Sequence, residues 1–328
     1  MTRRRLVALT AAVGALSLVL GLLVGVQWGR GGRDEAGPPP TTPTTAAPGT
    51  TAPPSTTAPP STTAPTETTP STAPSPTGPP QAFPDSTNTG PAPGLTLAAA
   101  EEHGYWELDH DLEGVEFVGT IVPTKADITI RNVRIVVDND VAGVFNRLDV
   151  PGVVVENVEI VCDNEDSPGA AAVVNVAVLR DSDLSGCADG VKVGSNAVVE
   201  GNFIHDLHFG PETHNDGIQM QGGSDVLIEG NTIVQLDNGQ RQANAAVFIQ
   251  DASNEIRRVT IRNNYVDGFG FSLRLSGADI YESAIVDNVI GPSHLWGPFL
   301  LDKGAEDAAN GNVATGNIRP DGSPVAAG

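Results

Sequence analysis

This chain has little positive charge. Lys and Arg total 18 against 40 Asp and Glu in 328 residues, a formal net charge of −22. From residue 95 onward only 13 bases stand among 36 acids, so the deficit is concentrated there. Such a surface repels nucleic acid and anionic lipid and excludes both as partners of that region. It also disfavours an anionic glycan unless a cation bridges or a local basic patch overrides the field. Cysteine is nearly missing: Cys162 and Cys187 are the whole supply. Residues 38–93 are mostly Pro, Thr, Ser and Ala with almost no charge, so nothing there can bury a core.

One long apolar run exists. Leu6 to Val26 follows Arg3, Arg4 and Arg5 and is long enough to span a bilayer, with the arginines inside and Trp28 at the outer interface. It reads as a signal anchor over residues 1–33, with a cleaved signal peptide as the alternative. Either reading exports the rest, as a membrane-anchored extracellular domain or a secreted one. Residues 34–94 then form a disordered Pro/Thr/Ser linker in which Thr-Thr-Ala-Pro-Pro-Ser repeats. Extended polyproline II gives it a reach on the order of 170 Å. Its Thr density fits O-glycosylation.

The folded domain, 95–328, carries one recurring phrase: an aliphatic residue, two polar or small ones, Asn, any residue, an aliphatic. It reads Val199-Glu200-Gly201-Asn202-Phe203-Ile204, and returns from Ile228, Ile261 and Ile285. Looser copies start at Leu112, Ile130, Val155, Leu179 and Ala314. A period of roughly 20 to 30 residues is the signature of a solenoid. Apolar residues alternate, as in Ile128-Thr129-Ile130, so each phrase reads as a strand. A second strand precedes most phrases, at Gly190–Val193, Gly217–Met220, Ala246–Ile249 and Ser272–Leu275. Stacking turns Val191, Ile218, Val247 and Leu273 inward and sets Lys192, Gln219, Phe248 and Arg274 in one outward row. Thr96 to Glu102 reads as a capping helix over the first coil, with Thr96 as its cap residue.

These features resemble the right-handed parallel β-helix proteins of the pectate-lyase-like superfamily. The resemblance covers about residues 95–328 and implies an all-β, single-stranded parallel β-helix of about nine coils. Asn202, Asn231, Asn264, Asn288 and Asn317 resemble that family's Asn ladder. The residue usage, poor in Lys and rich in Ala, Gly, Asp and Thr, is similar to that of GC-rich actinobacterial proteins. Cys162 and Cys187 fall at nearly the same place on adjacent coils, which predicts a disulfide; two buried thiols are the alternative.

Candidate chemistry gathers in His205-Asp206-Leu207-His208 and His214-Asn215-Asp216-Gly217, on a turn leading into a strand. Asp189-Gly190 and Asp216-Gly217 repeat at one coil position. Two carboxylates on adjacent rungs suit a retaining glycosidase pair or a shared Ca²⁺; the alternative is a local turn hydrogen bond at each Asp. The resemblance implies a further reading, a polysaccharide lyase in which Lys192 or His214 abstracts a proton and Arg274 holds a uronate carboxylate. His205 and His208 with Asp206 are a metal candidate, with exposed loop residues as the alternative. Asn215, His208, Gln219, Phe248 and Arg241 are candidate substrate contacts, and Trp296 is either a sugar-stacking platform or turn packing. The reading is an envelope-tethered monomer that binds a polysaccharide, with cleavage or epimerisation open. Its rival is a non-catalytic module for adhesion or wall architecture.

Overall fold

A computed structural model describes residues 83–100, 103–163, 171–208, 214–235 and 244–325; the anchor, most of the linker and Arg241 lie outside them. The chain winds through three stacks of parallel strands, one strand per stack per coil. Face 1 runs from Leu112–Glu113 to Val313–Thr315 through nine successive strands, with a short tenth, Ile280–Tyr281, paired on Ile256–Arg262. Its register is the repeated phrase read to the residue. Leu112 pairs with Ile130, then Val155, Leu179, Val199, Ile228, Ile261, Ile285 and Ala314 in unbroken succession. Those aliphatics are buried from Leu112 to Ile285 and form one wall of the core.

Each phrase is two strands, not one. The residue two after each phrase start has positive φ in all nine coils: Gly114, Asn132, Asn157, Asp181, Gly201, Gly230, Asn263, Asp287 and Gly316, between 50° and 71°. Gly, Asn and Asp tolerate this left-handed region better than other residues. The corner they make turns the chain from face 1 onto face 2. In the last five coils the next residue is Asn, and its amide closes the corner. Asn231 Nδ2 donates to Asn264 Oδ1 on the next rung at 2.9 Å and to the Val199 carbonyl on the preceding rung at 2.9 Å. Its Oδ1 accepts from the Asn202 backbone N–H at 3.0 Å and from Asn202 Nδ2 at 2.9 Å. The same bonds link Asn264 to Asn288 and Asn288 to Asn317. Ser182 heads the stack, and Val115, Val133 and Val158 hold the position in the first coils. Polar residues are tolerated there because every buried group is paired.

Face 2 includes Glu159–Cys162, Asp183–Ser185, Phe203–His205, Thr232–Val234 and Tyr265–Asp267; longer turns then lead to face 3. Cys162 and Cys187, on neighbouring coils, form the expected disulfide, with Cα atoms 4.8 Å apart. The expected capping helix is not there. Ala98 and Ala99 instead pair in parallel with Val115 and Glu116, and Ala98 N donates to the Gly114 carbonyl at 2.9 Å. Those bonds satisfy the open edge of the first coil, which the helical propensity of an alanine run cannot do. Among the described residues the single helical turn is a 3₁₀ turn at Ala308–Asn310.

The chain from Phe83, which composition places in the linker, lies against the solenoid. Phe83 packs on Tyr265 at 5.8 Å, Gly90 N donates to the Asp181 carbonyl, and Ala92 N donates to Asn132 Oδ1. The segment runs against the coil order, from the Tyr265 coil back to the first.

Asn231→Ala should leave the Asn202 backbone N–H without its side-chain acceptor and remove one bond each from the Val199 carbonyl, Asn202 Nδ2 and Asn264 Oδ1. We expect a loss of about 2–3 kcal/mol in chemical denaturation. Asn157→Ala, at a left-handed corner, should cost about 1 kcal/mol through backbone strain alone.

Candidate functional site

Face 3 carries the site. Its strands include Ala142–Phe145, Ala171–Val174, Asp189–Val193, Asp216–Met220, Ala245–Gln250, Phe271–Ser276 and Gly297–Asp302. Lys192 pairs with Gln219, Gln219 with Phe248, Phe248 with Arg274 and Arg274 with Leu300, which makes one row with a rung every 4.8 Å or so. Val191, Ile218, Val247 and Leu273 beside them are in the core, as the alternation requires.

Three residues before the row lies a second line: Asp189, Asp216, Ala245, Phe271. Asp189 Oδ1 accepts the Asp216 backbone N–H at 2.9 Å, and its Oδ2 lies 3.1 Å from Lys192 Nζ. Asp216 Oδ1 accepts from Asn244 Nδ2 at 3.0 Å and from Ala245 N at 3.1 Å; its Oδ2 accepts from Gln219 Nε2 at 3.0 Å. The two carboxyls thus bind the next rung rather than making local turns. The glycine after each Asp has a packing cause: a Cβ on Gly190 or Gly217 would collide with the Ile204 or Ile233 side chain and with the backbone of the next coil. Both carboxyls are buried. Desolvation lifts the pKa of Asp189, with Lys192 opposing it. Desolvation, joined by the Asp189 charge, lifts that of Asp216 well above the carboxylate range.

This arrangement does not fit Ca²⁺. Two carboxyls whose oxygens all meet N–H donors fall short of the six to eight oxygens that ion takes. Nor does the pair fit a nucleophile: Asp216 is fully buried, so a sugar carbon cannot reach it.

Two rungs beyond Gln219 the row becomes aromatic and cationic. The Arg274 guanidinium lies over the Phe248 ring at 4.7 Å and 5.9 Å from the Phe271 ring. Its Nη1 donates to Asn244 Oδ1 at 3.3 Å, and its Nη2 lies 3.4 Å from Asp302 Oδ2. Phe271 in turn packs on Trp296 at 5.4 Å. Trp296 is 36% exposed, so one indole surface faces solvent beside Arg274. Trp296 thus packs at a turn and also offers a platform.

A model of the right handed beta helix region matches residues 112–298, more than half of the chain. The chain belongs to the right-handed β-helix family. No curated protein and no solved structure matches it significantly.

The β-helix brings together Asp189, Lys192, Asp216 and Gln219 at one end of the row and Phe248, Arg274 and Trp296 at the other. The other expected residues stand apart. Asn215 is buried, and its amide donates to the carbonyls of Ala188, at 2.7 Å, and of His208, so it closes a turn. His214 is exposed beside Asp189, whose acidity its charge would raise. His205 lies on face 2, stacked on Phe203 at 4.0 Å. Its Nε2 lies 2.9 Å from Asp183 Oδ1 and its Nδ1 2.7 Å from Asp206 Oδ2. An imidazole with a carboxylate on each nitrogen is an imidazolium, which cannot ligate a metal. Among the described residues no cluster of three or more His, Cys, Asp and Glu is placed to hold one. Sequence reasoning missed Asn244, Phe271 and Asp302. Phe271 aligns with Asp216 and Asn244 with Asn215 once the coils are in register, whereas Asp302 aligns with Ser276 and carried no such signal.

Burial lowers the His205 pKa, but the Asp183 and Asp206 carboxylates outweigh it and raise the value from 6.5 to about 9. A raised value means the ion pairs stabilise fully below about pH 6.5 and fade as pH rises through about 9. Stability should therefore drop on the order of 2 kcal/mol between those limits, and His205→Gln should flatten that part of the profile. Denaturant titrations from pH 6 to 9.5 check this; a flat wild-type profile rejects it.

Proposed function

We propose that face 3 binds a polysaccharide laid along the solenoid axis, with Lys192, Gln219 and Arg274 as successive contacts, Phe248 supporting Arg274 from beneath and Trp296 as a stacking surface. The observation that carries this reading is the row itself. Long polar side chains recur at a fixed rung spacing on a rigid face, which suits a polymer that repeats along its own axis. The Phe271–Trp296 pair extends the row by one coil.

Binding is favoured over cleavage. Lys192 Nζ is engaged by Asp189, and the Asp189–Asp216 pair is buried. Lys192 and Arg274 stand three rungs apart, on the order of 14 Å, too far to act on one glycosidic bond together. The chain reads as an exported binding module at the cell envelope, carried on the linker. One observation favours a second reading: desolvation and the neighbouring Asp189 charge lift the Asp216 pKa well above the usual carboxylate range, which is what a general acid requires.

Affinity electrophoresis of residues 78–328 through gels containing polysaccharide tests both. Retardation by at least one polymer is expected, and Phe248→Ala with Arg274→Ala should weaken it roughly tenfold or more. Arg262→Ala on face 1 should leave it unchanged. New reducing ends or unsaturated products that Asp216→Asn abolishes would favour the second reading.

A further inference from the structure

Both cations of the face 3 row are already neutralised. Lys192 Nζ lies 3.1 Å from Asp189 Oδ2, and Arg274 Nη2 lies 3.4 Å from Asp302 Oδ2. Asp216 adds a third carboxyl behind them. Arg274 is 11% exposed and Asp302 28%, so the pair is largely buried and reaches solvent at its edge. Arg274 Nε and Asp302 Oδ1 are buried and have no hydrogen-bond partner among the described residues. Lys303, the next residue, is exposed.

An anionic sugar meets the wrong chemistry here. Its carboxylate must displace Asp302 from Arg274 or approach Asp189, Asp216 and Asp302 together, in a domain already strongly acidic. A hydroxyl meets the right chemistry, because it donates and accepts at once. A guanidinium beside a carboxylate offers one donor and one acceptor at the spacing of neighbouring hydroxyls. Trp296 is packed on Phe271 within the same patch and offers a flat apolar surface for the C–H face of a ring.

Accepting the reading of face 3 as a polysaccharide surface, we infer that its polymer is uncharged: a chain of neutral hexoses, one ring stacked on Trp296 with its adjacent hydroxyls shared between Arg274 and Asp302. Asp302 is the residue that sets this selectivity, since it cancels the charge that would otherwise draw a uronate.

The test uses the full chain and three probes: a neutral β-glucan, a neutral galactomannan and polygalacturonate. At least one neutral polymer should bind, with an affinity that changes less than about threefold between 50 and 500 mM NaCl, while polygalacturonate binds roughly tenfold more weakly or not at all. Trp296→Ala, at an exposed ring, should weaken the neutral polymer roughly tenfold without lowering the melting temperature. Asp302→Asn should weaken it about fivefold and bring in polygalacturonate, because Arg274 is then free. Preferential binding of polygalacturonate by the wild type, or strong weakening by salt, overturns the inference and leaves face 3 a glycan surface. Binding of none of the three overturns the inference, and wild-type binding that survives Trp296→Ala together with Phe248→Ala overturns the face 3 reading itself. Should Asp302→Asn fail to fold, the Trp296 variant and the salt series decide.

Discussion

Everything in this molecule depends on one constraint: each coil must superpose on the one below it, residue on residue. Parallel strands bond only to their neighbours in the stack, so a coil that slipped by one position would expose its core side chains and bury its polar ones. The left-handed corner after each face 1 strand enforces the match. It is a sharp turn at a fixed place, taken by Gly, Asn or Asp in all nine coils. The Asn stack then bolts successive corners together through buried side-chain bonds. With register fixed, distant residues acquire defined partners. Cys162 meets Cys187, Asp189 meets Asp216, and Lys192 begins a row that ends at Arg274.

The scarcity of bases makes sense in the same frame. Most described arginines bridge adjacent rungs. Arg131 pairs with Glu113, Arg180 with Glu156, Arg262 with Glu229 and Arg258 with Asp225. Arg134 lies between Glu116 and Glu159. Singly, exposed pairs contribute little, but they place opposite charges opposite each other and penalise a slipped register. Arg274 differs. It is nearly buried, stacked on an aromatic ring and imperfectly paired. Departures from the structural pattern of this kind mark a site rather than a scaffold.

The fold was legible because its period is written in residues that cannot vary much. Aliphatics at the phrase starts and Asn three residues later gave the coil count, the disulfide and the face 3 row. The corner was equally visible, since every residue there is Gly, Asn or Asp. It was passed over because the phrase was read as one strand. The capping helix failed for a different reason: Leu97-Ala98-Ala99-Ala100 favours a helix locally, yet the unpaired edge at Val115 offers bonds a helix cannot make. The packing of Phe83 and Gly90 had no signal at all, because a proline-rich segment held by backbone donors has the composition of a free tether. The site was half legible. Position came from the ruler, but burial did not, and burial decides that Asp216 is no nucleophile and that Phe248 supports Arg274 from beneath.

The three faces are not equivalent, and their differences single out the candidate binding face. Face 1 is closed outward by its ladder of Arg and Glu. Face 2 is closed by the chain itself. Thr232 and Tyr265 share the outward row of Asp183 and Phe203 yet are buried, and the Phe83 ring lies against Tyr265. The Phe83–Ala92 segment passes over that side before Ala98 joins the first coil. Among the described residues face 3 has neither cover. It keeps an exposed indole, a half-satisfied ion pair and a row of long side chains on the strands that follow the most variable turns. A solenoid that is saturated on two sides and unsaturated on the third is built to present that third side, and the segment that leads to the linker is fastened away from it.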